Sequence, residues 1–141
     1  MSRHLMIPVL ASAFFISSLA HANTLTVCAS GCDYTSINAA IDNAQNGDVI
    51  QLAAETYREG ETIDTDGKAI TLLGVTDDFD NPASILDGGN TFEGTNRIQV
   101  LACQNGEDST TVFRNLLVQN GYDTLGARTP VMQVPHAGSK M

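Results

Sequence analysis

The stretch GDVIQLAAETYREGETI, residues 47–63, reads as a strand, a tyrosine beside a charged pair, and the start of a second strand. Tyr57, Arg58 and Glu59 fit two readings: a small active-site cluster, or one turn of a repetitive scaffold. The flanking sequence weighs between them. Upstream, Ile37, Ala40, Ile41 and Ala44 recur at i, i+3, i+4 and i+7, which marks one face of a helix. Asn38, Asp42, Asn43 and Gln45 fall on the opposite face. Thr35 or Ser36 can cap its start, and Gly47 is expected to end it in a left-handed conformation. Downstream, short β-prone runs alternate with turns: residues 49–52, 69–75, 84–88, 98–103 and 111–121, with 25–28 ahead of the helix. Asp66-Gly67, Asp87-Gly88, Asn105-Gly106 and Asn120-Gly121 supply the turns. The runs return at roughly twenty residues, the mark of a solenoid whose coils each add short strands to parallel sheets. A sandwich of short antiparallel strands is the alternative on pattern alone. The single helix ahead of all the strands favours an all-β parallel β-helix, because its open end must be covered and a small amphipathic helix does that.

Both termini differ in texture from this middle. Residues 1–22 have a basic start at Arg3, an apolar run over 5–19, and Ala20-His21-Ala22 as a small-x-small cleavage signal. That is the layout of a secretory signal peptide. The apolar run is short for a membrane span. Asn23 would then be the first residue of a chain that is secreted, periplasmic or at the cell surface, with no membrane span left after processing. Residues 23–126 carry the helix and strands. Residues 127–141 form an irregular tail in which Pro130 and Pro135 interrupt any strand. With no capping element legible there, the last coil is expected to lie open. The chain then reads as the front piece of a longer protein or a truncated product, with self-association possible through the uncapped end. The alternative is a small domain with a flexible tail.

The formal net charge is −9, with seven basic and sixteen acidic residues. Loss of Arg3 with the leader makes the remainder more acidic still. Such a surface, with no basic cluster, argues against nucleic acid and anionic membranes. Export permits disulfides. Cys28 and Cys32 flank Gly31 and are expected to pair, leaving Cys103 over; a bridge from Cys103 to either is the alternative. Three cysteines without a nearby histidine do not complete a usual zinc set.

The block DYTSINAAIDNAQNGDVIQLAAETYREGETIDTDGKAITLLGV, residues 33–75, resembles the opening of right-handed parallel β-helix proteins of the pectin lyase-like superfamily. The shared pieces are INAAIDNA, GDVIQLA, TYREG and GKAITLLG, and the later ILDGGN and FRNLLVQNG look like further coils. Pectin methylesterases share the same opening layout. The resemblance implies a right-handed parallel β-helix with one short N-terminal capping α-helix, incomplete at its C-terminal end. In it, Val49, Ile50 and Leu52 are core and sheet positions, Tyr57 packs over a turn, and Arg58 and Glu59 sit at the coil edge. Glu59 would pair with a neighbour or accept backbone N–H bonds, and Gly60 and Gly74 would serve turns of positive φ.

Function rests on sites rather than on the fold. Polysaccharide hydrolysis needs paired carboxylates, and Asp64, Asp66 and Asp87 are the exposed-looking acids on coils. Asp66 and Asp87 each precede a glycine, so turn formation also accounts for them. Asp77, Asp78 and Asp80 share one loop and are the calcium candidates, although their spacing departs from an EF-hand. GYDTL, residues 121–125, is similar to the GYQDTL motif of pectin methylesterases, whose aspartate is catalytic, but lacks one residue before Asp123. The family's other catalytic residues have no counterparts. His136, the only histidine beyond the leader region, lies in the tail and offers no nucleophile–histidine triad. No cofactor is implied apart from that possible calcium. The favoured expectation is a non-catalytic secreted or surface β-helix that binds polysaccharide or cell-surface glycan. The alternative is the N-terminal portion of a pectate lyase- or pectin methylesterase-like enzyme.

Overall fold

Ile50 and Leu72 are both completely buried, and they face each other across a parallel pair of strands. The computed structural model describes residues 21–89, 98–121 and 132–134. Residues 1–20, 90–97, 122–131 and 135–141, Asp123 and His136 among them, lie outside the described residues. The described elements, in chain order, are β1 (Thr24–Val27), α1 (Ile37–Asn43), β2 (Val49–Leu52), β3 (Thr56–Tyr57) and β4 (Ile63–Asp64), then β5 (Thr71–Leu73), β6 (Ser84–Asp87), β7 (Leu101–Ala102), β8 (Val112–Arg114), β9 (Leu116–Gln119) and β10 (Met132–Val134). They form three sheets, ordered β1-β2-β5-β8, β10-β9-β6-β3 and β4-β7. Every pair is parallel except β10 on β9. The described residues thus form mostly short strands in parallel sheets, with one helix, as the sequence suggested at that level.

Register follows from which side chains must leave water. Leu25, Ile50, Leu72 and Phe113 stand in line across the first sheet. Tyr57, Leu86 and Val118 do so across the second, and all three are buried. A slip of one residue would turn either line to solvent. Fully burying an aliphatic side chain of this kind is worth about 1.5–3 kcal/mol. Ile37, Ala40 and Ile41 of α1 join the same core, and the helix packs on β1, β2 and β4.

The two ends of α1 are held by residues of the strand region. Ser36 is the N-cap, and its side-chain oxygen accepts the Ala39 N–H. The Glu59 carboxylate receives the Ile37 N–H at 2.9 Å, the Asn38 N–H at 3.4 Å and the Ser36 hydroxyl. At the other end the Lys68 ammonium donates to the Ile41 and Asp42 carbonyls. An anion at the N-terminus and a cation at the C-terminus both oppose the helix dipole. Gly47 therefore does not end the helix as expected. The helix stops at Asn43 with an extended Ala44. Gly47, at φ 95°, instead serves the turn into β2.

Several other expectations are corrected. Tyr57 is not packed over a turn. It lies in β3 and points inward, its hydroxyl donating to the Val27 carbonyl and accepting the Ala53 N–H, both at 2.8 Å. Residues 111–121 are not one strand, because Asn115 adopts φ 58° and turns the chain from β8 into β9. The run 98–103 shrinks to β7. Gly60 does have positive φ, at 77°, but Gly74 does not. Gly74 is needed because a Cβ there would lie 2.2 Å from the Asn115 carbonyl oxygen. The tail is not wholly irregular either: β10 pairs antiparallel with β9, so that edge is covered. The Cys28–Cys32 disulfide is present as expected, and Cys103 is a free, exposed thiol.

Two substitutions check this description by chemical denaturation. Glu59→Ala leaves three donors without their acceptor and is expected to cost about 1–3 kcal/mol; a loss below about 0.5 kcal/mol would show that the N-terminal clamp is not used. Gly74→Ala meets backbone rather than a flexible side chain, so the expected loss is about 3 kcal/mol or more, at or above the upper end of ordinary overpacking.

Candidate functional site

Asp87 ends β6, next to Gln119 of β9 in the sheet register. The sequence suggested an exposed carboxylate before a turn glycine. The structure buries it, with its side chain 2% exposed. The oxygen Oδ1 accepts the Gly89 N–H at 2.8 Å and the Asn120 amide at 2.9 Å. The other oxygen, Oδ2, accepts Arg58 Nη2 at 2.9 Å, Arg58 Nε at 3.2 Å and the Gln119 amide at 3.4 Å. Burial pushes this carboxyl up. The Gly89, Asn120 and Arg58 hydrogen bonds, with the Arg58 charge, outweigh that and hold it at about 2, against 3.8 ordinarily. A glycosidase acid must instead be raised towards neutrality so that it carries a proton to give. Asp87 has neither the proton nor a free lone pair facing solvent. It fastens the ends of three neighbouring strands, β3, β6 and β9, to one another.

A second cluster lies around β4 and the loop after β7. Glu107 Oε1 accepts the hydroxyl of the fully buried Thr65 at 2.6 Å and the Gly67 N–H at 2.9 Å, and Oε2 accepts the Asn105 N–H at 2.8 Å. These bonds, that from Thr65 foremost, hold the carboxyl at about 2. Asp64 Oδ1 accepts the Asp66 N–H and the Asn105 amide, and Asp66 takes φ 52° in its turn. Cys103 sits beside Thr65. Although the residue is exposed, partial desolvation of its sulfur, with the nearby Glu107 and Asp64 charges, pushes the thiol up, so it stays protonated and poorly nucleophilic at neutral pH. Asp64 and Asp66 also line a shallow open groove with Asn38, Asp42, Glu61 and Thr62.

The third cluster is the loop between β5 and β6. Thr76 and Pro82 form an antiparallel bridge at its base. Asp77 Oδ1 accepts the Phe79 and Asn81 N–H groups, both at 2.9 Å. These bonds, with that from the Asn81 side chain, lower its carboxyl. Asp80 adopts φ 62°. At the tip, Phe79 is 84% exposed. Among the described residues, no group of three His, Cys, Asp or Glu side chains is placed to hold a metal ion. No helix among the described residues is long and apolar enough to cross a membrane.

The opening cluster of Tyr57, Arg58 and Glu59 is dispersed in space. Tyr57 points into the core with its phenol pushed up by burial. Arg58 goes to Asp87, and Glu59 goes to the helix. The Asp87 network was missed from the sequence, because its members come from three distant segments. No family model matches the chain, and neither does any curated protein or solved structure.

The depressed Asp87 carboxyl makes stability depend on pH in a defined direction. Its folded value lies below its unfolded one, so the stabilisation is fully present above about pH 4 and is lost as pH falls towards 2. The shift corresponds to about 2 kcal/mol. Urea unfolding from pH 6 down to pH 2 is expected to show this loss. In Asp87→Asn the acid slope is expected to be shallower, with stability already reduced at pH 6. An unchanged slope would contradict the network.

Proposed function

We propose that the chain is a secreted or cell-surface right-handed parallel β-helix of the pectin lyase-like superfamily, serving as a non-catalytic glycan-binding scaffold. Support for the architecture comes from the order in which the chain visits its sheets. After β1 in the first sheet, β2, β3 and β4 enter the first, second and third sheets, β5, β6 and β7 repeat that order, and β8 and β9 begin it again. A chain that returns to each parallel sheet after visiting the others winds around a common core, and such crossovers are right-handed as a rule. The helix on β1 and β4 takes the position of an N-terminal cap. The leader-like residues and the Cys28–Cys32 bridge suit export.

The observation that carries the binding reading is Phe79. An aromatic ring held out on a hydrogen-bonded loop has no packing role. Its negative π-face is suited to the C–H face of a sugar ring. Asp78 and Asp80 on either side have carboxylates without a partner among the described residues, and these can accept sugar hydroxyls. The candidate catalytic carboxylate Asp87, by contrast, is spent on holding strands together, which supports a scaffold over an enzyme.

Binding to a panel of immobilised neutral, acidic and amino polysaccharides tests this. The expected result is measurable retention that falls about tenfold, or about 1.4 kcal/mol, in Phe79→Ala, with the melting temperature unchanged because the ring is exposed. Retention unaffected by Phe79→Ala, or no retention on any glycan, would overturn the proposal. Release of methanol or unsaturated products from pectin would instead favour the enzyme reading.

A further inference from the structure

Asp48 precedes β2 and is 3% exposed, yet among the described residues no cationic side chain meets it. Its Oδ2 accepts the Gln45 N–H at 2.8 Å, and its Oδ1 accepts the backbone N–H of Asn23, also at 2.8 Å. The Asn23 carbonyl in turn accepts the Val49 N–H at 2.8 Å. Asn23 is thus fixed on both sides of its α-carbon, one residue before β1 begins in register with Val49. The nitrogen that meets this buried carboxylate is the one at the leader-like junction Ala22–Asn23.

We propose that hydrolysis of the Ala22–Asn23 bond produces the N-terminus this fold is built to hold, with the new α-ammonium group of Asn23 docked on the Asp48 carboxylate. The inference rests on the reading of residues 1–22 as an export leader. In the cleavage, catalysed by a signal peptidase, water adds across the peptide bond. Ala22 departs with the leader as a carboxylate, and the Asn23 nitrogen takes up protons to become an ammonium. A single amide N–H already aimed at Asp48 is replaced by a charged group at the same position. A buried carboxylate with only neutral donors thereby gains an opposite charge, and charge-assisted bonds are the stronger kind. His21, Ala22 and Asn23 are exposed, so severing that junction disturbs no core contact.

β1 and β2 carry no charged residue, α1 contributes Asp42, and Lys68 is engaged at the helix C-terminus. Asp33 lies against β1, where it accepts the Thr26 N–H and hydroxyl, and His21 leaves with the leader. The Gln45 and Asn23 N–H groups already hold the Asp48 carboxyl below its ordinary value, so it is ionised across the neutral range in which the amine is protonated. A carboxylate neighbour raises an α-amino group above its ordinary value of about 8. While Asp48 is ionised, the stabilisation is therefore fully present up to about pH 8 and disappears as pH rises through the raised folded value.

The experiment begins with the exported full-length chain and its N-terminal sequence, which is expected to start at Asn23. The exported protein is then compared with its selectively Nα-acetylated form, and both are made again with Asp48→Asn. At pH 6 the free-amine protein is expected to have an unfolding constant about tenfold smaller than the acetylated one, equivalent to about one pKa unit. The gap is expected to close at alkaline pH and to be absent in Asp48→Asn. A start other than Asn23 overturns the leader reading and the inference with it. A start at Asn23 with no gap at pH 6, or with the same gap in Asp48→Asn, overturns the docking alone.

Discussion

The Glu59 carboxylate on the first turn of α1 is the contact on which the arrangement depends. A helix of seven residues has too few hydrogen bonds to offset its own nucleation and would not persist in isolation. Yet β1 and β4 are edge strands of two parallel sheets, and the helix packs on both. The chain resolves this by holding the helix from outside. Glu59 and Lys68 come from either side of β4, and each reaches back more than twenty residues to an end of the helix. The helix and the first strands therefore order together, since the residues that stabilise α1 take their positions only when the strands have formed.

The same economy runs through the acidic residues. The chain carries sixteen carboxylates, and several of them work as local acceptors rather than as surface charge. Asp48, Asp77, Asp87 and Glu107 each receive two or more donors. Parallel strands joined by tight turns leave N–H groups at their corners that no sheet partner reaches, and a buried unpaired donor is costly. Short acidic side chains at those corners satisfy them. This explains why a strongly acidic composition coexists with so few ion pairs among the described residues, and why both oxygens of the Asp87 carboxylate are taken up by donors.

What was legible in the sequence was local. The Ile/Ala stripe of α1, the Cys28–Cys32 bridge around Gly31, and the Asp66-Gly67 turn each depend on residues a few positions apart. Strand centres at Ile50 and Leu72 followed from hydrophobic runs that recur at a regular interval. Beyond them the interval lengthens to roughly forty residues, from Leu72 to its partner Phe113, and the pattern blurs. The Asp87 network was not legible. Arg58, Asp87 and Asn120 are brought together only by strand register, and Asp87-Gly88 looks like any turn. Gly74 was noticed for the wrong reason: its conformation is ordinary, and the constraint is the Asn115 backbone lying against it. The two-residue strand β3 was hidden because Thr56 and Tyr57 are too short a run to show alternation.

The antiparallel pairing of β10 on β9 limits how this sheet can grow. In β6 and β9 each new strand enters in the same direction as the last, so the edge of every strand is a template for the next. A strand laid down in the opposite direction occupies that edge in a geometry the repeating path cannot continue. Any further parallel strand at β9, from this chain or another, has to exchange with β10 rather than simply add to it. Growth at that sheet is thus a competition between two partners for one row of hydrogen bonds, and its outcome is set by the difference in their pairing strengths.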